Sequence, residues 1–348
     1  MKRLICCLFL IAACICAKAK DPTILAKGQQ PQVSVDEKGV IRVVFGRSDS
    51  VFCATSTNGG ETFSRTDLVG IVPQMHLGMA RGPQLASSTN YSMITAMDKN
   101  GDIHCFTLQH SKGQVWKKQG LVNDLRASAP EGLMNIAADE ADDFYAVWLD
   151  TRIGKTNNVC FSSLSIKNGR WLKNKMVYQS PDGHVCECCR PSIAVQGNNV
   201  AIMYRNWLMG ARDMYLISSA DKGKTFGTGQ KLGKGTWKLN ACPMDGGGLV
   251  FNADHSITTT WKRQATVYTA KPGYAEEILA DGRDCSLNLI DNGLVVSLSA
   301  NGTVKFKNLN NHQEVTVGNG SYLKTIGLAN HQVFCVWEQD GMIKTKKV

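Results

Sequence analysis

The sequence predicts an all-β chain, and three observations carry that expectation. A short polar or turn residue followed by an alternating apolar run recurs seven times, at Pro31, Pro83, Gly132, Pro191, Pro243, Ser286 and Tyr322, with starts 36 to 59 residues apart. A turn signal and a second β-rich run follow most starts, as in Ile41-Arg-Val-Val-Phe, Tyr145-Ala-Val-Trp-Leu, Val200-Ala-Ile-Met-Tyr, Ile257-Thr-Thr-Thr-Trp and Val333-Phe-Cys-Val-Trp. Helical periodicity is nearly absent beyond the first twenty residues, and 33 glycines against 9 prolines suit many tight turns. Regular short strands belong to a sandwich, barrel or propeller, and modules of about four strands in 40–50 residues select the propeller.

The expected architecture is therefore a single β-propeller of four-stranded blades over residues 20–348. It has seven blades by module count, or six if the last two modules merge. The last module supplies only three strands, over 322–328, 332–338 and 342–347. Its fourth should come from Thr23-Ile-Leu-Ala near the N-terminus, which closes the ring and removes an exposed sheet edge.

Residues 1–19 read as a targeting segment rather than as part of the fold. Lys2 and Arg3 precede an apolar run to Ile15, and Ala17-Lys-Ala19 offers a small-x-small cleavage site. Export to a periplasmic or extracellular space is expected, with a lipid anchor on Cys14 as the alternative processing. No later apolar stretch is long enough to span a bilayer. The formal charge of +10 falls to +7 without Lys2, Arg3 and Lys18, and the remaining Lys and Arg are dispersed. That balance favours anionic ligands in general. No finger spacing, phosphate-cradling Gly-rich loop or aromatic platform supports nucleic acid. No cofactor motif is present, and a monomer is expected.

Two segments, Ser56-Thr-Asn-Gly-Gly-Glu-Thr-Phe and Ser219-Ala-Asp-Lys-Gly-Lys-Thr-Phe, resemble the Asp-box of sialidases and related BNR-repeat propellers. Ser111-Lys-Gly-Gln-Val-Trp and Ser165-Ile-Lys-Asn-Gly-Arg-Trp look like weaker copies at repeat spacing. In such a turn the Asn or Asp side chain bonds forward to backbone N–H groups and Gly takes a positive φ. The resemblance implies a sialidase-like propeller, with Asn58 and Asp221 structural and distant from any site.

Channel-lining first strands, and the loops that follow second strands, open on one face of a propeller. Those positions collect Glu131, Arg190, Asp245 and Asp284, with Arg47, Arg81, Arg152, Arg205 and Arg263 from five different modules. Converging guanidinium groups would clamp a carboxylate, sulfate or phosphate. The competing arrangement pairs the same arginines with neighbouring carboxylates as struts between blades. Sialidases hold the sugar carboxylate with three arginines and use a Tyr nucleophile, a Glu partner and an Asp acid/base. The resemblance assigns these roles to Tyr322, Glu131, and Asp150 or Asp49, with Arg81-Gly-Pro only partly matching the family's Arg motif.

Nine cysteines follow residue 19. Cys53, Cys105 and Cys160 sit in apolar runs and read as small core residues. His184-Val-Cys-Glu-Cys-Cys189 reads differently. In an exported chain Cys188 or Cys189 is expected to form a disulfide to Cys242 or Cys285 as a staple between blades, the alternative being a soft-metal site with His184, Cys242 and Met244. Two functions from different classes follow: a sialidase-like glycoside hydrolase acting on an anionic glycan, or a non-catalytic propeller that binds an acidic glycan or a protein on the same face.

Overall fold

The computed structural model describes residues 21–348 other than Gln114 and Asn292, so the expected leader, with Cys14, lies outside the described residues. Seven antiparallel sheets form a ring, a seven-bladed β-propeller. Blade 1 runs Gln29–Val35, Ile41–Arg47, Ser50–Ser56 and Asp67–Ile71 in spatial order, and its successors repeat that meander. Blade 3 departs slightly, because Arg170–Trp171 and Lys175–Tyr178 both pair with its third strand. The ring closes as expected: Thr23–Lys27 pairs antiparallel with Met342–Lys347 and supplies the outer strand of blade 7. Among the described residues no helix is long and apolar enough to cross a membrane.

The blades hold together through apolar wedges. Seven buried clusters fill the seven gaps between neighbouring blades. The wedge between blades 2 and 3, for example, joins Met93, Ile103 and Cys105 to Phe144, Trp148 and Cys160. A strand covered on both faces needs apolar residues at consecutive positions, and Ile41–Arg47 and Asp143–Asp150 are buried almost throughout. Fourth strands such as Trp116–Leu121 are mostly exposed. Cys53, Cys105 and Cys160 are core residues, and burial pushes the first two thiols up to about 12.

Both segments with the stronger motif form turns between third and fourth strands. Ser219 Oγ lies 2.7 Å from Asp221 Oδ1 and accepts from Gly223 N at 2.9 Å, while Asp221 Oδ1 accepts from Thr225 N at 2.9 Å. Asn58 makes the matching bond to Thr62 N at 3.0 Å. The turn aromatic packs across a blade gap, with Phe226 edge-on to Phe161 at 5.1 Å and Phe63 against Phe334 at 5.7 Å. Gly223 is required twice over. Its φ is +78°, and a Cβ there would stand 2.4 Å from the Phe161 ring. Gly223→Ala should therefore lose about 2–3 kcal/mol, part left-handed backbone and part overpacking. Denaturant unfolding measures this, and a loss under about 0.5 kcal/mol would show that the gap between blades 3 and 4 is slack.

Candidate site at the channel mouth

Three consecutive blades around the ring enter their first strands in the same unusual way. Gln30, Asp284 and Tyr322 open blades 1, 6 and 7 with φ of 55°, 55° and 59°. In each case the first strand carries one residue more than its partner, between Gln29 and Gln32, Arg283 and Ser286, and Ser321 and Lys324. Such a bulge re-aims a side chain. A left-handed residue other than Gly costs about 1–2 kcal/mol, most strikingly misplaced for a ring as large as Tyr. In front of Tyr322, Gly320 has φ +134° and no room for a Cβ, which would stand 2.2 Å from Glu338 O.

The three bulged residues face one narrow well at the channel mouth, with Arg190, Asp245 and Lys324. Asp245 is buried; it accepts from Asp284 N at 3.1 Å and lies 3.7 Å from Lys262 Nζ. Burial first, then the charge of Asp284, pushes its carboxyl up to about 6, against the pull of Lys262 and Arg205. Burial first, then Arg190, pulls the Lys324 ammonium down to about 7, although Asp284, Cys285 and Asp245 oppose it. Tyr322 is raised by burial and by Asp284. Arg190 Nη1 donates to Gln84 Oε1 at 3.2 Å, while Arg190 Nε, Gln30 Nε2 and Arg81 Nη1 are buried without an acceptor. Three donor atoms thus stand unpartnered at this mouth beside the carboxylates of Asp245 and Asp284.

The expected site residues divide between this well and the rim. Tyr322 and Asp245 line the well. Arg81 stands next to the lining residue Ala80, and its Nε donates to Glu131 O at 2.5 Å with Nη2 3.5 Å from Glu131 Oε2. Glu131 is thus engaged with Arg81, whereas the carboxylates acting on Tyr322 are Asp284 and Glu338. Arg152 bonds Asp150, Asp124 and Asn174, and Asp150 is wholly inaccessible, accepting also from Ser128 Oγ and Trp148 Nε1 at 2.8 and 2.7 Å. Arg263 bonds Glu276, which burial alone would raise but which the N–H groups of Lys234 and Gly235 and the Arg263 guanidinium hold at about 2. Arg205 is buried and donates to Arg212 O and Lys262 O at 2.9 and 2.8 Å. Arg47 is exposed with its guanidinium 4.4 Å over Phe52, and Asp49 Oδ1 accepts from Met75 N at 3.3 Å. The guanidinium groups of Arg81, Arg152 and Arg263 are thus engaged by carboxylates, Arg81 and Arg152 reaching Glu131 and Asp124 across modules and Arg263 pairing within blade 5, while Arg81 Nη1 stays unpartnered.

Lys324 and Gln30 were not legible as site residues. Lys324 interrupts the alternation of Leu323-Lys-Thr-Ile, and a Gly two residues ahead of Gln30, Asp284 and Tyr322 is the shared signal that marks the bulges.

The expected inter-blade disulfide is not formed. All nine described cysteines are free. Cys285 is buried in the wedge between blades 5 and 6, Cys242 is exposed, and Cys186, Cys188 and Cys189 gather with one another instead.

Two further cavities bear on the choice of face. A groove on the side of the mouth between blades 5 and 6 is lined by Lys262, Arg283, Lys305 and Asp281, a mainly basic set. The opposite mouth holds a cavity of about 490 Å³ with Asp36, Glu37, Asp139 and Glu140 against Lys222. Those carboxylates disfavour an acidic ligand there.

No family model matches the sequence, and no curated protein is similar to it. Solved structures share the fold. The Hadza microbial sialidase Hz136 is 10% identical with a TM-score of 0.50, over 92% of this chain and 65% of its own. A polysaccharide lyase, an ulvan lyase bound to -[GlcA(1-4)Rha3S]-, is 8% identical with a TM-score of 0.57, over 94% of both chains. The Aleuria aurantia lectin in complex with Fucalpha1-6GlcNAc is 10% identical with a TM-score of 0.55, over 85% of this chain and 98% of its own. At such identities the likeness is one of fold, and propellers serve unrelated tasks.

Proposed function

We propose that the protein is exported and engages the acidic group of a sugar at the narrow well of the channel mouth, whose free volume is only about 20 Å³, with the basic groove between blades 5 and 6 carrying the rest of the glycan. The observation that carries this reading is the set of buried donors without acceptors, Arg190 Nε, Gln30 Nε2 and Arg81 Nη1, around a well that also contains Lys324. Buried unpartnered donors are expensive, and a carboxylate or sulfate would satisfy several at once. Bulky or polar residues held in left-handed conformation at three bulges are the kind of stored strain that accompanies a binding site. The fold's capacity for acidic saccharides is illustrated by the neighbour bound to -[GlcA(1-4)Rha3S]-.

A hydrolytic, sialidase-like reading rests on one further observation. Tyr322 shares the well with Asp245, whose carboxyl, pushed up to about 6, keeps its proton under mildly acidic conditions where an ordinary carboxyl has already ionised. In that reading Asp245 protonates the leaving oxygen while the Tyr322 oxygen attacks the anomeric carbon and passes its phenolic proton to Asp284, the carboxylate acting on it; water then releases the sugar from Tyr322. Calorimetric titration with sialosides, uronides, sulfated sugars and neutral controls tests binding, and fluorogenic sialosides and uronides test turnover. Acidic saccharides should bind with strongly salt-dependent affinity, since the Debye length is only about 8 Å at physiological ionic strength. Equal binding of neutral sugars, or none of the acidic ones, would sink the proposal. Turnover that survives in Tyr322→Phe would remove the hydrolytic reading alone.

A further inference from the structure

The loop that leads into blade 4 makes a tight turn at Glu187 and Cys188 and folds three thiols onto one another. Cys186 Sγ lies 3.3 Å from Cys189 Sγ and 3.7 Å from Cys188 Sγ, and all three sulfurs fall within 4.8 Å of one another. All three residues are buried, and they form an apolar cluster of their own with Met244 packed against it. Thiolates that share one metal ion at about 2.3 Å in a tetrahedral array stand about 3.8 Å apart, whereas a disulfide sets two sulfurs about 2.05 Å apart and would leave the third idle. The surroundings are cationic. Arg212 Nη1 donates to Cys186 Sγ at 3.0 Å, and the buried Arg205 guanidinium acts on Cys189 and Cys186. His184 is turned away, stacked on Trp207 with Nδ1 2.9 Å from Val185 O.

We infer that Cys186, Cys188 and Cys189 form a binding site for a thiophilic metal ion, Cu(I) before Zn(II), with the Met244 thioether as the adjacent soft donor. Soft thiolate and thioether donors select Cu(I), and Met is not a usual zinc ligand. Arg205 and Arg212 offset part of the thiolate charge, with the Glu187 carboxylate 3.4 Å from Arg212 Nη1, so the order rests on the softness of the donors. Binding releases the thiol protons to solvent and changes no oxidation state. The ion would tie the approach to blade 4 to the approach to blade 5. Cys189 directly precedes Arg190 and Met244 directly precedes Asp245, both of which line the well. This site would thus do between blades 4 and 5 the work expected of a disulfide.

The test is an anaerobic titration of the reduced full chain with Cu(I) held by a chromophoric chelator, followed by X-ray absorption at the copper edge. One Cu(I) per chain should be withdrawn into a sulfur-only shell. Cys186→Ala or Cys189→Ala should weaken retention by at least 100-fold, and Met244→Leu by less, while Cys242→Ala leaves it unchanged. If a Cys variant fails to fold, the parent chain still decides: bound Cu(I) should raise its melting temperature and shield Cys186, Cys188 and Cys189, but not Cys242, from alkylation. The inference is overturned if the folded, reduced chain withdraws no Cu(I), if a folded Cys186→Ala chain withdraws as much, or if Zn(II) is retained more tightly. It is overturned equally by a Cys186–Cys189 disulfide that persists under reductant and Cu(I).

Discussion

Replacing Asp150 with alanine should cost about 3–5 kcal/mol of stability, the expected penalty for breaking a buried ion pair from one side. Its two oxygens accept from Ser128 Oγ, Trp148 Nε1, Arg152 N, and Arg152 Nε and Nη2, all at 2.7–3.0 Å, and the residue has no exposed surface. The Arg152 guanidinium would keep Asp124 and Asn174 but lose its innermost partner, and the indole N–H of Trp148 would be left without an acceptor. A proton donor to a substrate needs an oxygen within reach of the ligand, and this carboxylate has both committed. Asp150→Asn should fall between the parent and Asp150→Ala, since one oxygen survives as an acceptor. Denaturant unfolding of all three chains, alongside acidic-saccharide binding, separates the roles. An Asp150→Ala chain within about 1 kcal/mol of the parent and unable to act on a glycan would return Asp150 to a chemical role.

The fold was legible because a propeller writes its inner strands in long apolar runs. Ile41–Arg47 and Val333–Gln339 are buried almost end to end, so seven such modules stand out even where spacing drifts. Outer strands such as Glu277–Asp281, mostly exposed, carry no such pattern. The site was harder to read, for a physical reason. Arg47, Arg152, Arg205 and Arg263 end or follow second strands and Arg81 precedes a first strand, so all five open on one face, but sequence cannot say whether a guanidinium meets a ligand or the nearest carboxylate, and Glu276 lies 13 positions from its partner Arg263. Lys324 escaped because its position on a first strand predicted channel lining, and only the third dimension shows which linings meet at the mouth. The cysteine cluster was visible as a motif; its partners were not, because the turn at Glu187 and Cys188 folds it onto itself.

Lys324→Met should weaken binding of an acidic saccharide by about 10- to 100-fold while making the protein more stable, a combination that only a site residue gives. Lys324 is held in the well beside Arg190, and burial with that neighbouring charge brings its ammonium down to about 7 from the usual 10.5. In the folded chain it therefore loses its proton between pH 7 and 10.5, where the unfolded chain still carries one. Stability then rises with pH across that window, and the rise should be shallower in Lys324→Met. Asp245 contributes with the opposite sign at lower pH. Its folded carboxyl at about 6 keeps a proton that the unfolded chain has lost above 3.8, so stability falls as pH rises from 3.8 to 6. For an anionic ligand both titrations point the same way. Raising the pH through 6 adds a negative charge at Asp245 and through 7 removes a positive one at Lys324, so affinity should decline steadily from about pH 5.5 to 8.5. A neutral saccharide would not feel this decline, and neither would a glycan seated at the opposite mouth among Glu37, Asp139 and Glu140. A flat profile for the parent chain, or undiminished binding by Lys324→Met, would place the acidic sugar elsewhere on the ring.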